Sequence, residues 1–78
     1  MEAVEVLARF DAQGNIEPLS FYWKKSKYDI VSVGRRWIVE PNVHILVMIP
    51  EGRVFELIYS KKDACWYLKP NLTFHKTV

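Results

Sequence analysis

The sequence predicts an all-β domain: a small antiparallel barrel or roll of five to six bent strands, of the SH3-like kind. Three observations favour this fold class. Several segments alternate apolar and polar residues with the period of two that is typical of strands, turn-forming residues separate these segments at short intervals, and no segment is a convincing helix. A small sheet with an apolar face must cover that face, and closing on itself is the usual solution.

The chain has 78 residues, of which 50% are hydrophobic. This length suits one domain that buries roughly 60–65% of the surface of its unfolded chain. We expect residues 1–70 to form a single barrel-like domain. Residues 71–78 offer only Leu72 and Phe74 for burial, and we expect them to form a C-terminal tail that is loosely held or docked through these two side chains.

The first two strands are predicted on either side of a turn at Gly14-Asn15. Even-numbered residues of the segment 4–11 are apolar, as in a half-buried strand. A helix is the alternative, because Leu7 departs from the alternation, but Gly14-Asn15 favours a tight turn and therefore a hairpin. The segment 18–23 follows as an extended strand, in which Pro18 suits a strand start or an edge because it cannot donate a backbone hydrogen bond.

A long strand with a bend is predicted from Tyr28 to Val39. Gly34 lies inside it, and a glycine within a strand usually marks a bulge or a sharp bend. Trp37 has the same parity as Val31 and Val33. It therefore points inward unless the bend at Gly34 changes which face the following residues occupy.

Three further strands are predicted with short turns between them, which favours antiparallel neighbours. Val43–Pro50 is apolar on both faces, as in a central strand that is covered on two sides. In Arg53–Ser60 one face carries Phe55, Leu57 and Tyr59 and the other carries Val54, Glu56 and Ile58, and Cys65–Lys69 completes the meander.

The segment Phe21–Trp37 is a candidate nucleic-acid interface. It holds five of the eleven Lys and Arg residues of the chain and a single acidic residue. Single-stranded nucleic acid binds in cationic grooves where aromatic side chains stack on the bases, each stack contributing about 1–3 kcal/mol. A solvated hairpin is the alternative interpretation, because lysines commonly surround such turns. The candidate residues are Lys24, Lys25, Lys27, Arg35, Arg36, Trp23 and Tyr28.

A second set of aromatic residues is a candidate surface for a protein partner or for self-association. The chain has more large amphipathic rings than one small barrel buries on one face, and exposed Trp and Tyr commonly anchor interfaces. Trp66 and Tyr67 are adjacent, so a strand directs them to opposite faces and one of them leaves the core. The tail, a second copy of the chain or another protein would cover it. The candidate residues are Tyr22, Tyr59, Trp66 and Tyr67.

Neither catalytic nor metal-binding residues are predicted. Cys65 is the only cysteine and lies in an apolar strand, where it is expected to pack as a small hydrophobic side chain. His44 and His75 are the only histidines, and a metal site normally needs three or four ligands. No phosphate-binding glycine loop is present in the sequence. We therefore expect no enzyme activity, no cofactor and no small-molecule substrate.

A cytoplasmic protein without a membrane partner is expected. The single cysteine excludes an intramolecular disulfide framework, and the N-terminus does not resemble a signal peptide. The longest apolar run, Ile45–Ile49, is far below the roughly 18 residues that span a bilayer. The net charge of +2 is weaker than the clustered basicity of most dedicated nucleic-acid domains.

Several segments resemble a family of small, uncharacterised bacterial proteins. The segments are "ARFD" with Gly14, "PLSFYW", the basic strand that ends at Trp37, "GRVFELIY" and "CWYL", and together they cover about Ala8 to Leu68. Related domains are similar to the C-terminal domain of a Y-family polymerase-like protein that takes part in induced mutagenesis. The resemblance implies a DNA-associated or partner-docking role, and it brings no assigned activity and no functional residues.

The residue patterns and the resemblance predict a non-catalytic binding or interaction module. The expected partner is another protein, within a DNA-repair-associated assembly. Direct nucleic-acid binding through the segment 21–37 is the alternative.

Overall fold

Seven antiparallel strands form the fold in a computed structural model, which describes residues 1–70. The strands follow the spatial order β3-β2-β1-β7-β6-β5-β4 and curl into a half-barrel. The predicted all-β, antiparallel, barrel-like fold is confirmed, whereas the predicted tail, with Leu72, Phe74 and His75, lies outside the described residues. The strands are β1 (Glu2–Phe10), β2 (Ile16–Trp23), β3 (Ser26–Asp29), β4 (Ser32–Val39), β5 (Asn42–Ile49), β6 (Arg53–Ser60) and β7 (Cys65–Pro70).

The described residues form seven strands where five to six were predicted, because the predicted strand from Tyr28 to Val39 is divided. The amide of Ile30 donates to the Leu19 carbonyl on β2 at 3.0 Å, and the next amide, Val31, donates to the Met48 carbonyl on β5 at 2.8 Å. The chain thus passes from one edge of the sheet to the other within two residues. A pattern of apolar residues gives no sign of this change of partner.

An irregularity is also present where Gly34 predicted a bend. The register of β4 against β5 shifts between Val33 and Arg36, so the strand contains a bulge. A bulge adds one residue to a strand and changes the face on which the following side chains lie. Trp37 consequently pairs with His44, on the face opposite to that of Val33.

β1 pairs with two neighbouring strands along different parts of its length. Glu2–Val4 pairs with β7, and Glu5–Phe10 pairs with β2. The half-barrel therefore consists of two curved sheets that share β1, and the β3–β4 segment connects their outer edges.

The hydrophobic core fills the concave face of the half-barrel. Phe21 lies at its centre, with ring centroids 5.6 Å from both Tyr28 and Phe55. Alternate residues of the central strands point into the same space, as the period of two requires. The fully buried members of this core cluster are Phe21, Ile45, Val47, Ile49, Leu57 and Leu68.

The turns gather at two ends. The β2–β3 and β5–β6 turns lie at what we call the upper end, and the β1–β2, β4–β5 and β6–β7 turns lie at the lower end. No helix within residues 1–70 has the length and apolar character needed to cross a membrane.

Leu57→Ala should destabilise the domain by about 2–5 kcal/mol, because Leu57 is fully buried at the centre of the core and its truncation leaves a cavity. Leu7→Ala is the matched control, since Leu7 is 52% exposed on β1 and should change stability by about 0.5 kcal/mol or less. Urea denaturation followed by tryptophan fluorescence measures both. Equal losses of stability would contradict this description of the core.

Candidate functional site: a groove between two free strand edges

Two strand edges face each other at the lower end without pairing. β2 pairs with β3 only from Ser20 to Trp23, and the Leu19 carbonyl accepts the Ile30 amide, so Ile16–Pro18 has a strand partner on one side only within the described residues. β4 pairs with β5 on one side and is the outermost strand on the other. Alternate residues along such edges direct N–H and C=O groups away from their own sheet.

The Arg36 side chain bridges the two edges. Its Nη1 donates a 2.6 Å hydrogen bond to the Ile16 carbonyl, which shows that this carbonyl faces the gap. Pro18 lies two residues further along the same edge, where it adds no backbone donor. Because an arginine side chain spans the gap, the two backbones lie too far apart to bond to each other directly.

The gap forms a groove of about 480 Å³, a volume within the range of ligand-binding clefts in proteins. Its apolar lining comes from Ile16, Ile38, Val43 and part of Trp37, and its basic groups are Arg36 and Lys61. Ile38 is 59% exposed although it lies on a strand, so an apolar surface is open to solvent here. The groove thus combines two strand edges that lack a strand partner, apolar side chains and positive charge.

Asp11 shapes the wall of the groove that the β1–β2 turn provides. Its carboxylate accepts hydrogen bonds from the amides of Gln13 and Asn15 and from the Asn15 side chain, at 2.8–2.9 Å. These bonds lower the pKa of Asp11, the Asn15 side chain having the largest effect, because they stabilise the ionised carboxylate. Gly14 completes the turn at a φ of 87°, a conformation that favours glycine.

The structure places the lysines of the predicted nucleic-acid interface at the upper end. Lys24 and Lys25 form the β2–β3 turn, and the Lys24 Nζ lies 4.7 Å from the Trp23 ring centroid. Arg53, on β6, lies 5.8 Å from the same ring. Lys27 follows on β3, with its Nζ 3.9 Å from an Asp29 oxygen.

The predicted aromatic platforms pack into the core. Trp23 contacts Phe55 edge-on at 5.2 Å and donates from Nε1 to Glu2 at 3.2 Å. Tyr28 stacks on Phe21. Both rings are half-buried, so a base could reach only their outer parts.

Arg35 and Arg36 lie apart from those lysines and apart from each other. Both are on β4, whose second half runs toward the lower end. The Arg35 guanidinium lies 5.5 Å from the Trp37 ring on the convex face, whereas Arg36 enters the groove. The basic residues that are continuous in sequence are therefore divided among three places in the fold.

The four aromatic residues of the predicted interaction surface lie on two faces. Trp66 is 9% exposed in the core, and Tyr59 lies 5.0 Å from it. Tyr67 points to the convex face and is half-buried, so the adjacent pair divides between the faces as the strand geometry requires. Tyr22, which is 42% exposed on β2, also lies on the convex side. The four do not form one continuous surface.

Sequence patterns did not reveal the pairing of His44 with Glu56. The His44 Nδ1 and a Glu56 oxygen are 2.7 Å apart on the convex face, and the His44 ring stacks on Trp37 at 5.2 Å. A single acid in the alternating strand Arg53–Ser60 is the only signal for this contact. Cys65 is exposed, contrary to the buried position expected for it, and its thiol donates to the Asp63 carbonyl at 3.3 Å.

No group of three or more potential metal ligands occurs within the part of the chain that the structure describes. Comparisons with protein-family models, with curated proteins and with solved structures found no match for this chain. The similarity to a domain of Y-family polymerase-like proteins stays a prediction from the sequence.

A pH titration should show the role of Asp11 in the groove wall. Because its pKa is lowered, the stabilising hydrogen bonds are fully present above the ordinary aspartate pKa of about 3.9 and are lost as the pH falls through the lower pKa of the folded protein. The amide resonances of Gln13 and Asn15 should shift with that lower midpoint in NMR spectra. In Asp11→Asn the same resonances should no longer titrate there, and a midpoint above 3.9 in the unmodified protein would contradict the hydrogen bonding described.

Proposed function

We propose that this chain is a non-catalytic interaction module that binds an extended segment of another protein between the free edges of β2 and β4. The observation that carries the proposal is the presence of two strand edges without a strand neighbour on opposite sides of one partly apolar groove. An added strand can bond to an exposed sheet edge through its backbone while its side chains occupy adjacent pockets.

The Arg36 bridge between the two edges supports a single added strand. Neighbouring strands lie about 4.8 Å apart, so one strand inserted between two edges needs a separation of about twice that distance. Direct pairing of β2 with β4 would leave no space for the Arg36 side chain, which instead extends from one edge to the Ile16 carbonyl of the other. The exposed surface of Ile38 would be buried by such a segment.

The proposal has three further parts, which concern the assembly of the partner, the cellular location and the type of barrel. The partner is proposed to act in a DNA-repair-associated assembly, which rests on the sequence resemblance alone. The cytoplasmic location is proposed from cysteine usage alone. The SH3-like kind of barrel is supported by two shared segments, β1 and β3–β4, that connect two curved sheets.

Photo-crosslinking can test the groove as the docking site. A benzophenone amino acid in place of Ile38 should crosslink to a protein in cells of the source organism, because that position lies in the groove. The same amino acid in place of Leu7 is the matched control, since Leu7 is also exposed and apolar but lies on β1 outside the groove. The absence of a position-dependent protein product would be evidence against the proposal, and a nucleic-acid product would favour the alternative below.

Nucleic-acid binding at the upper end is the second candidate function. Lys24 and Lys25 have φ angles of 51° and 67°, which a two-residue hairpin turn requires but which favour Asn and Gly. Strained conformations of this kind often occur at functional positions. Arg53 adds a third positive charge beside the Trp23 ring.

The double variant Lys24→Asn, Lys25→Gly separates stability from binding at this turn. It should stabilise the domain by about 1–2 kcal/mol, because Asn-Gly adopts left-handed backbone angles at lower cost than lysine. If the lysines bind nucleic acid, the same variant should lose affinity for labelled single-stranded DNA, measured by fluorescence anisotropy at about 50 and 200 mM salt.

The control for the DNA-affinity measurement is the double variant Lys61→Asn, Lys62→Asn. It also removes two lysines, but these lie at the lower end, so its affinity for DNA should stay that of the unmodified protein. The stability gain is measured by urea denaturation. Unmodified protein that fails to bind DNA or RNA at the lower salt would exclude this second function.

A further inference from the structure

We infer that the segment bound in the groove carries an acidic side chain, flanked by apolar ones at alternate positions. The inference rests on the proposed function and specifies the chemistry of the partner. It commits to one occupant, an acidic extended segment of another protein that completes the half-barrel between β2 and β4.

The charges of the groove favour an acid. Arg36 and Lys61 are its two ionisable lining residues, and both are basic. The nearest acid to Lys61 is Glu40, whose Oε2 lies 4.0 Å from the Lys61 Nζ and is largely exposed, so solvent weakens that pair. No acid of residues 1–70 forms an ion pair with Arg36. A strand inserted here therefore meets the charge of Arg36, which pairs with no acid of residues 1–70, and that of Lys61, which is only weakly paired.

The present hydrogen bond of Arg36 indicates that a carboxylate could replace its acceptor, the Ile16 carbonyl. The guanidinium donates to a neutral carbonyl, that of Ile16, although it has five N–H donors that fit the two oxygens of a carboxylate. Charge-assisted bonds are roughly twice as strong as neutral ones. An inserted strand would occupy the Ile16 edge, and its acid would offer Arg36 a better acceptor than the one it loses.

The register of β4 determines at which positions of the bound segment apolar residues are needed. Arg36 pairs with Ile45 and Ile38 pairs with Val43, so Arg36 and Ile38 share the concave face two residues apart. An adjacent strand places its own alternate residues opposite this pair. The acid therefore lies beside Arg36, and the next residue on the same face contacts Ile38 and Val43.

Two matched peptides test this chemistry. The first is an acetylated and amidated heptapeptide in which threonine alternates with valine, glutamate and valine, and the second has lysine in place of the glutamate. Each is titrated into the ¹⁵N-labelled full chain at about 150 mM salt, where the Debye length of about 8 Å limits long-range attraction. The glutamate peptide should bind about tenfold tighter, with amide shifts in Gly34–Val39 and Asn15–Glu17 and slower amide exchange along β4.

Three variants make the test specific. Arg36→Glu should reverse the preference, so that the lysine peptide binds tighter. Arg36→Gln, which removes the charge and keeps a shorter polar side chain, should reduce the preference to about twofold or less. Arg35→Glu makes the same charge change on the convex side of β4 and should keep the preference for the glutamate peptide. Each variant is checked for the folded spectrum before titration.

The outcomes separate this inference from the function on which it rests. Equal binding of the two peptides in the groove would overturn the acidic specificity and leave strand addition in place. Failure of both peptides to bind, or shifts confined to the upper end, would overturn the inference. Crosslinks from position 38 decide the proposed function independently, because they require no assumption about the partner's charge.

Discussion

Between β3 and β4, at Ile30–Val31, the chain changes its hydrogen-bonding neighbour from β2 to β5, and the rest of the fold depends on this change. Two consecutive amides bond to opposite edges of the curled sheet, one to the Leu19 carbonyl and one to the Met48 carbonyl. The upper half of the barrel is thereby closed. The same change of neighbour leaves the lower parts of β2 and β4 without each other as partners, so the closure and the groove have one cause.

The bulge in β4 decides the chemistry of that groove. Without the extra residue between Val33 and Arg36, the parity of the strand would carry Trp37 into the concave space and Arg36 to the convex face. The observed register does the reverse. Trp37 stacks on His44 outside, and Arg36 enters the gap with its charge close to exposed apolar surface. The one inserted residue thus places Arg36 on the concave side, where straight alternation from Val33 would have placed Arg35 and Trp37.

The basic residues that form one cluster in the sequence lie in different parts of the folded molecule. Two lysines occupy a tight turn at the upper end, Arg35 lies over an aromatic ring on the convex face, and Arg36 bridges two strand edges. The half-burial of Trp23 among Phe55, Tyr28 and Glu2 follows from a small core that needs large rings. Charge clustering along a chain is therefore a weak guide to charge clustering on a folded β-surface, because alternate residues face opposite ways.

The sequence by itself determined the fold class, the positions of most turns and the division of Trp66 and Tyr67 between two faces, because these follow from local rules of alternation and turn chemistry. Only the tertiary structure decided where one apparent strand becomes two, which arginine enters the groove and which edges stay unpaired. Those features depend on contacts between residues far apart in the chain, such as Arg36 with Ile16 and Val31 with Met48. Periodicity describes which side of a strand a residue occupies, and it contains no information about which strand lies next to it.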